Sequence, residues 1–278
     1  MPALEVFFRD HPRLAIAFSG GLDSRFLCAC AQACGCDVVA VHVHGPHVPG
    51  ADTDSARAFA RNMQLKLLEL PLNPLTLPEV ARTDPRRCYF CKKFMLSGIR
   101  ELLVRCGEGE RTLCDGSNHD DLSRYRPGLQ ALKEAGIFSP LALAELGKQD
   151  IRARSVEMGF PLPREQARPC LLTRYDYNLP VHQEELLRID RAEQALLSLT
   201  DVRGRPLFAD LRLRITPQPL LQVQTFRREW EPEVRRILGS LGFDNCTICQ
   251  TEHISGFFDT GKTSPPEVGN GKPASVSS

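Results

Sequence analysis

A serine, two glycines, an aspartate and a second serine are gathered at Ser19, Gly20, Gly21, Asp23 and Ser24, an order suited to handling a polyphosphate. Gly20 and Gly21 let the backbone turn sharply and approach a ligand without a Cβ in the way. The amides of such a turn, with the N-terminus of a following helix, form a cradle for anionic oxygens. Asp23 is poorly suited to touch phosphate itself but well suited to hold a Mg2+ that does. The Gly-Lys-Ser/Thr ending of the Walker loop, whose lysine reaches the terminal phosphates, is absent from this stretch. A second group, Arg87-Cys88-Tyr-Phe-Cys91-Lys92-Lys93, sets two thiols three residues apart where a helix is expected to start. The basic neighbours and the helix terminus would both favour thiolate. Alone, the pair reads equally as a functional dithiol or as a partly buried pair without a metal.

Two thiolates are too few for a closed tetrahedral site, so a third ligand must come from elsewhere. Cys170, which follows Arg168-Pro169 and precedes Arg174, is the candidate. Three cysteines would hold three irons of a [4Fe–4S] cluster and leave the fourth open. An open iron is the position a sulfur-transfer site needs, because sulfide can be loaded there and given up. A zinc site completed by a histidine is the competing reading. His42, His44, His47 and His119 are available for it, none at a compelling spacing. Cys28, Cys30, Cys34 and Cys36, among alanines, read as small packing residues, as do Cys106 and Cys114.

The elements that must position these groups follow from hydrophobic patterning. Residues 14–18 are apolar at nearly every position, as in a buried strand of a parallel sheet. Further strands are expected at 37–43, 65–70 and 111–115, and helices near 24–35, 52–63, 89–105, 120–135 and 148–158. This alternation predicts a doubly wound α/β sheet, with ligands at the carboxyl ends of the strands. A proline-rich patch at 160–169 and an irregular segment at 170–180 end the region. Beyond it come a helix at 182–199, strands near 211–215, 220–225 and 243–249, and a helix at 231–240. These suggest a smaller α+β domain. The expected divisions are 1–180, 181–258 and a disordered tail at 259–278, rich in Gly, Pro, Ser and Lys.

The 278 residues suffice for one large domain or two modest ones. A net charge of +1 gives no global pull towards nucleic acid, which argues against a tRNA-sized substrate. No apolar run approaches the length of a membrane span, and the N-terminus has no basic region followed by an apolar core. A cytoplasmic protein is expected, and eleven cysteines there read as thiols or metal ligands rather than a disulfide framework.

The Ser-Gly-Gly-x-Asp-Ser pattern resembles the PP-loop ATP pyrophosphatases, which split ATP between the α and β phosphates and adenylate a substrate. From about residue 10 to about 245 the chain resembles the LarE family of sulfur transferases in nickel-pincer cofactor synthesis. The blocks that carry this are Arg87–Lys93, Asp115-Gly116-Ser117-Asn118 with Asp120 and Asp121, Tyr125-Arg126-Pro127-Gly128, Ser139-Pro140-Leu141, Asp150–Ala153, Pro169–Arg174, Arg191-Ala192-Glu193 and Leu211-Arg212-Leu213-Arg214. The resemblance implies a two-stage reaction. ATP adenylates a carboxylate of a pyridinium-3,5-biscarboxylic acid mononucleotide, and sulfur then displaces AMP to leave a thiocarboxylate. Cys88, Cys91 and Cys170 would place the chain in the three-cysteine, iron–sulfur group of that family.

The implied cofactors are ATP, Mg2+ at Asp23 and a [4Fe–4S] cluster. The implied partners are a small nucleotide-like carboxylate, sulfide or another sulfur donor, and a second copy of the chain. Besides the loop, Asp115, Gly116 and Arg126 are expected at the ATP site. Arg212 and Arg214 alternate along a strand with apolar neighbours, so both would share one face and could clamp the substrate's phosphate. Arg174 and Glu193 are further candidates there. The chain departs from the family at Cys246–Gly256, where isoleucine stands at 254 in place of an expected arginine, which bears on the substrate. Cys246 and Cys249, three apart in an expected strand, would face opposite sides. A tRNA-thiolating PP-loop enzyme, an amide-forming ligase and a non-catalytic nucleotide-binding regulator are the alternatives.

Overall fold

Short apolar runs and glycine turns set the architecture. The computed structural model describes residues 2–122, 127–159, 169–252, 254 and 257–258. The chain opens with α1 (Pro2–Asp10), which the sequence patterns do not predict. Its buried Leu4 and Phe8 lie one turn apart on a single face. Then follow β1 (Arg13–Ala17), α2 (Leu22–Ala33), β2 (Asp37–His44), α3 (Gly50–Asn62) and β3 (Lys66–Pro71). A short α4 (Pro78–Ala81) leads into the long α5 (Arg87–Arg105) and β4 (Thr112–Asp115). Within the helix expected at 120–135, the described residues form α6 (His119–Leu122) and α7 (Pro127–Glu134), and 123–126 lie outside them. Next come α8 (Pro140–Leu143) and α9 (Lys148–Glu157).

The four strands are parallel in the order β3-β2-β1-β4. Strand order reverses between β1 and β4, which makes the carboxyl ends of those two strands the switch-point crevice. Side chains alternate across the sheet into two cores. Leu14 and Ile16 pack with Phe26, Leu27 and Cys28 of α2 on one face. Ala15, Val39 and Val41 pack with Leu96, Ile99 and Leu103 of α5 on the other. Each such buried aliphatic is worth about 1.5–3 kcal/mol, so both helices are held firmly against the strands. This is the doubly wound α/β sheet expected.

The chain divides into two compact units, Met1–Asp190 and Arg191–Ser278. After α10 (Gln183–Leu197), the second unit contains β5 (Leu211–Arg214), β6 (Leu220–Val223), α11 (Glu231–Ser240) and β7 (Thr247–Gln250). Its sheet runs β5-β6-β7, with β6 antiparallel to β5 and parallel to β7. The last strand starts later than the 243 expected, because the Cys246 amide bonds the Phe243 carbonyl in a turn. Cys246 therefore precedes the strand and is buried, while Cys249 lies within it and is half-buried. Residues 160–168 of the proline-rich patch and the expected tail from 259 lie outside the described residues. Among the described residues, no helix is long and apolar enough to cross a membrane.

Candidate functional site

The loop after β1 is held open rather than filled by its own side chains. Gly21 caps α2 with extended backbone and no side-chain cap, which leaves the start of the helix of the kind that anions occupy. The Ser19 and Ser24 hydroxyls lie 3.2 Å apart, Gly21 N donates to Ser19 Oγ at 3.3 Å, and Ser24 Oγ donates to the Gly21 carbonyl at 3.1 Å. Gly20 has φ +77°, and a Cβ there would meet Ala56 Cβ at 2.9 Å. Only glycine fits that combination without strain. Arg25, not singled out from sequence, braces the turn: its Nε donates to the Gly20 carbonyl at 2.6 Å and its Nη2 to Ser55 Oγ at 2.6 Å. Burial lowers the pKa of Arg25, and nearby Asp52 partly offsets this.

Asp115 and Gly116 support the loop from behind. The Asp115 carboxylate accepts from Ser117 Oγ and Ser139 Oγ, both at 2.7 Å. A Cβ on Gly116 would stand 3.0 Å from Ser24 N, so the absence of a side chain lets β4 close against the start of α2. Asp23, in the first turn of α2, receives a hydrogen bond from Asn118 Nδ2 at 3.0 Å, which ties the two motifs together. A half-buried carboxylate of this kind is a hard oxygen donor of the type that Mg2+ takes. Arg126 lies outside the described residues.

Cys88 and Cys91 occupy the first turn of α5, one exposed and one buried. Cys170 opens the 3-10 turn Leu171–Arg174, reached by a chain tied at two points. The Leu171 amide bonds the His47 carbonyl at 2.9 Å. Further on, Thr83 Oγ1, in the turn before α5, lies 2.8 Å from the Asp176 carbonyl and accepts from Leu179 N at 2.8 Å. Fully buried Arg174 wraps back on its own segment, its Nη1 donating to the Pro169 carbonyl and to Thr173 Oγ1, each at 3.0 Å. The three thiols are thereby brought close enough to influence one another's charge.

That influence runs against the thiolates expected from sequence. Burial raises the Cys91 pKa, the neighbouring Cys170 and Cys88 raise it further, and Lys92 only partly opposes them. Burial pushes Cys170 up to about 11, despite the Leu172 amide and the charges of Arg174 and Arg87. The helix terminus and nearby cations are outweighed by lost hydration, so these are thiols at neutral pH until a cation displaces their protons. Among the described residues, no group of three or more His, Cys, Asp or Glu side chains is arranged to hold a single metal ion. A four-iron cube takes each thiolate at a different iron, and three cysteines without disulfide partners lining the same cavity suit it as a donor set. Cys28, Cys30 and Cys114 are buried in the first unit with pKa values raised by burial, as packing residues should be.

The loop and the cysteines share one cavity of about 350 Å3. Ser19, Gly20 and Gly21 line one part of it, with Arg25, Asp52 and Ser55. Cys88, Cys91 and Cys170 line another, with Arg87, Lys92 and Thr173. His42 and His47 are on its wall too, in opposite circumstances. His42 is satisfied, Nδ1 against the Phe18 carbonyl at 2.9 Å and Nε2 against Thr53 Oγ1 at 3.1 Å. His47 is 3% exposed and neither ring nitrogen has a partner. Burial lowers its pKa to about 4, so it is neutral at pH 7. Composition carries no signal that separates these two histidines, because the difference lies in what packs around them.

The remaining sequence candidates belong to the second unit, where each is buried and engaged. Glu193 Oε1 accepts from Leu213 N at 2.8 Å. Arg212 is ion-paired with Asp210, and Arg214 Nε donates to Gln222 Oε1 at 2.8 Å. Arg214 also bonds the carbonyl of Ile254 and faces the rings of Phe257 and Phe258.

No family model matches the chain. It is 33% identical over 222 residues to the uncharacterized protein slr1717 of Synechocystis, covering 79% of this chain and 82% of that protein. It is 30% identical over 186 residues to the uncharacterized protein MJ0830 of Methanocaldococcus jannaschii, covering 66% and 69%. It is 28% identical over 242 residues to the pyridinium-3,5-bisthiocarboxylic acid mononucleotide synthase of Lactiplantibacillus plantarum, covering 86% of each chain. With likeness of this extent, the chain belongs to one family with the Synechocystis and Methanocaldococcus jannaschii proteins, and that family is LarE-like by its likeness to the Lactiplantibacillus plantarum synthase.

Proposed function

We propose that the chain is an ATP-dependent sulfur transferase that activates a carboxylate of a pyridinium mononucleotide and converts it to a thiocarboxylate, in nickel-pincer cofactor synthesis. The observation that carries this reading is the single cavity shared by an anion-cradling loop and three cysteines. The relative from Lactiplantibacillus plantarum, named for a bisthiocarboxylic mononucleotide product, supports the substrate class.

A carboxylate is a poor electrophile, and adenylation supplies a leaving group. The amides of Ser19–Ser24 would receive the β and γ phosphates, and Arg25 would keep the turn in shape through Gly20. Asp23 would hold Mg2+, which when bound offsets the charge of the departing pyrophosphate. A carboxylate oxygen bonds to the α phosphorus as the bridge to the β phosphate breaks, and pyrophosphate leaves with the electron pair. A sulfide nucleophile then forms the C–S bond at the acyl carbon, and AMP leaves with the carboxylate oxygen. Cys88, Cys91 and Cys170 would hold three irons of a [4Fe–4S] cluster, which when bound supplies an exchangeable position for sulfide. Arg174 keeps Cys170 facing the cavity by fixing the carbonyl of Pro169. Within the second unit, Arg212 and Arg214, held by Asp210 and Gln222, are proposed to bind a phosphate.

The test is anaerobic incubation with ATP, Mg2+ and a pyridine-carboxylate mononucleotide. AMP and pyrophosphate should appear only when the acid is present. ADP and phosphate as products, or stimulation by tRNA in place of the mononucleotide, would overturn the assignment.

A further inference from the structure

Buried arginines in this protein are otherwise provided for. Arg111 pairs with Asp37 and Glu108 and Arg212 with Asp210, while Arg174 donates to the Pro169 carbonyl and Thr173 Oγ1, and Arg214 to Gln222 Oε1 and the Ile254 carbonyl. Arg87 is the exception. It is 5% exposed and lines the cavity, yet among the described residues no carboxylate pairs with it and its Nε has no hydrogen-bond partner. It makes one long hydrogen bond, Nη1 to the Thr83 carbonyl at 3.5 Å, and lies over the Tyr177 ring at 4.5 Å from the centroid. A guanidinium withdrawn from water without an anion is costly, and such a charge is retained where a ligand brings the counter-charge. His47 lines the same cavity with both ring nitrogens unpartnered, and a buried imidazole with neither nitrogen bonded also lacks a partner it needs.

Both lie at the cysteine end. Arg87 is next to Cys88 in the chain and its charge is felt by Cys170. The carbonyl of His47 is bonded by the amide of Leu171, the residue after Cys170. We propose that Arg87 and His47 form a carboxylate-recognition subsite, gripping the acid group that is to receive sulfur. This rests on the acid-activating reading above and deepens it. The fork of Arg87 matches the two oxygens of a carboxylate, and a ring N–H of His47 supplies a further donor. Stacking on Tyr177 fixes the guanidinium plane, so little order is lost when the acid enters. The subsite accordingly selects an acid over an amide of the same shape.

The test is calorimetric titration of the anaerobically purified protein with pyridine-3,5-dicarboxylate and with its neutral isostere, pyridine-3,5-dicarboxamide. ATP affinity and visible absorbance are read in parallel. The unsubstituted protein should prefer the diacid. Arg87→Gln should lose that preference by roughly 10- to 100-fold, with Arg87→Lys intermediate and His47→Gln losing several-fold. ATP affinity should persist, showing that the loop is intact. If the unsubstituted protein binds ATP but not the diacid, both the acid-activating reading and this subsite fall. If it prefers the diacid and both Arg87 variants and His47→Gln keep that preference, the function stands and the subsite is wrong. Loss of visible absorbance in Arg87→Gln with the preference intact also overturns the subsite, since Arg87 would then serve only to balance the thiolates.

Discussion

Replacing Gly20 by alanine puts a Cβ where the structure has two separate objections to it. The backbone is left-handed at φ +77°, and the added carbon would lie 2.9 Å from Ala56 Cβ, 3.3 Å from Ala56 Cα and 3.4 Å from the Asp52 carbonyl. The conformation alone costs a non-glycine residue roughly 1–2 kcal/mol. Pressing a methyl against the interior of α3, where Ala56 is fully buried, adds roughly 1–3 kcal/mol. Gly20→Ala should therefore lose roughly 2–5 kcal/mol in urea denaturation followed by circular dichroism. It should also lose ATP binding by calorimetry, because relief of the contact displaces the turn that presents the amides. The two costs separate in a double-mutant cycle. Ala56→Gly alone weakens a helix interior by roughly 1 kcal/mol. In the Gly20→Ala background it removes the close contact but not the backbone strain, which predicts a favourable coupling of roughly 1–3 kcal/mol. A Gly20→Ala protein of unchanged stability, or a cycle with no coupling, would refute the reasoning.

The burial of His47 makes stability depend on pH: its pKa falls from 6.5 to about 4, so below pH 6.5 the unfolded chain takes the proton more readily. Stability should be greatest above that pH and fall by roughly 3 kcal/mol as pH drops towards 4, and His47→Gln should flatten this part of the curve; an unflattened curve would assign the loss to other groups. Protein reconstituted anaerobically with iron and sulfide should show broad visible absorbance that Cys88→Ala, Cys91→Ala or Cys170→Ala removes, and a colourless unsubstituted protein would sink the cluster proposal. Arg174→Met should strand the Pro169 carbonyl and cost roughly 1–3 kcal/mol, with faster proteolysis near Cys170; unchanged stability and cleavage would remove its bracing role.

The strands of the main sheet could be read from the chain because parallel strands are buried on both faces. Leu14–Phe18 and Val38–Val41 therefore stay apolar without alternation. The Ser19–Ser24 loop was legible for a related reason: glycines at 20 and 21 directly after such a strand leave few other structures for the backbone. The thiol pair announced itself by spacing, and Cys170 by its place between Arg168-Pro169 and Arg174, where the α/β region ends. What packing decides was not legible. Nothing local distinguishes the satisfied His42 from the unpartnered His47, or separates Arg87 from the other arginines. The protonated state of Cys91 and Cys170 follows from burial by distant segments, which overrides the basic neighbours visible in sequence. Asp115 and Gly116 proved to be supports behind the loop, a role set by Ser139 and by the closeness of α2. α1 escaped detection because nine residues with two anchoring side chains carry too little periodicity.

The central claim is that a substrate carboxylate attacks the α phosphate before sulfur arrives. It is tested most directly by supplying the acid with both carboxylate oxygens labelled as heavy oxygen, together with ATP and sulfide under anaerobic conditions. Adenylation followed by displacement leaves one labelled oxygen on AMP for each thiocarboxylate formed, and mass spectrometry reads both products. Thiocarboxylate accompanied by unlabelled AMP, or formed without AMP, would contradict the account.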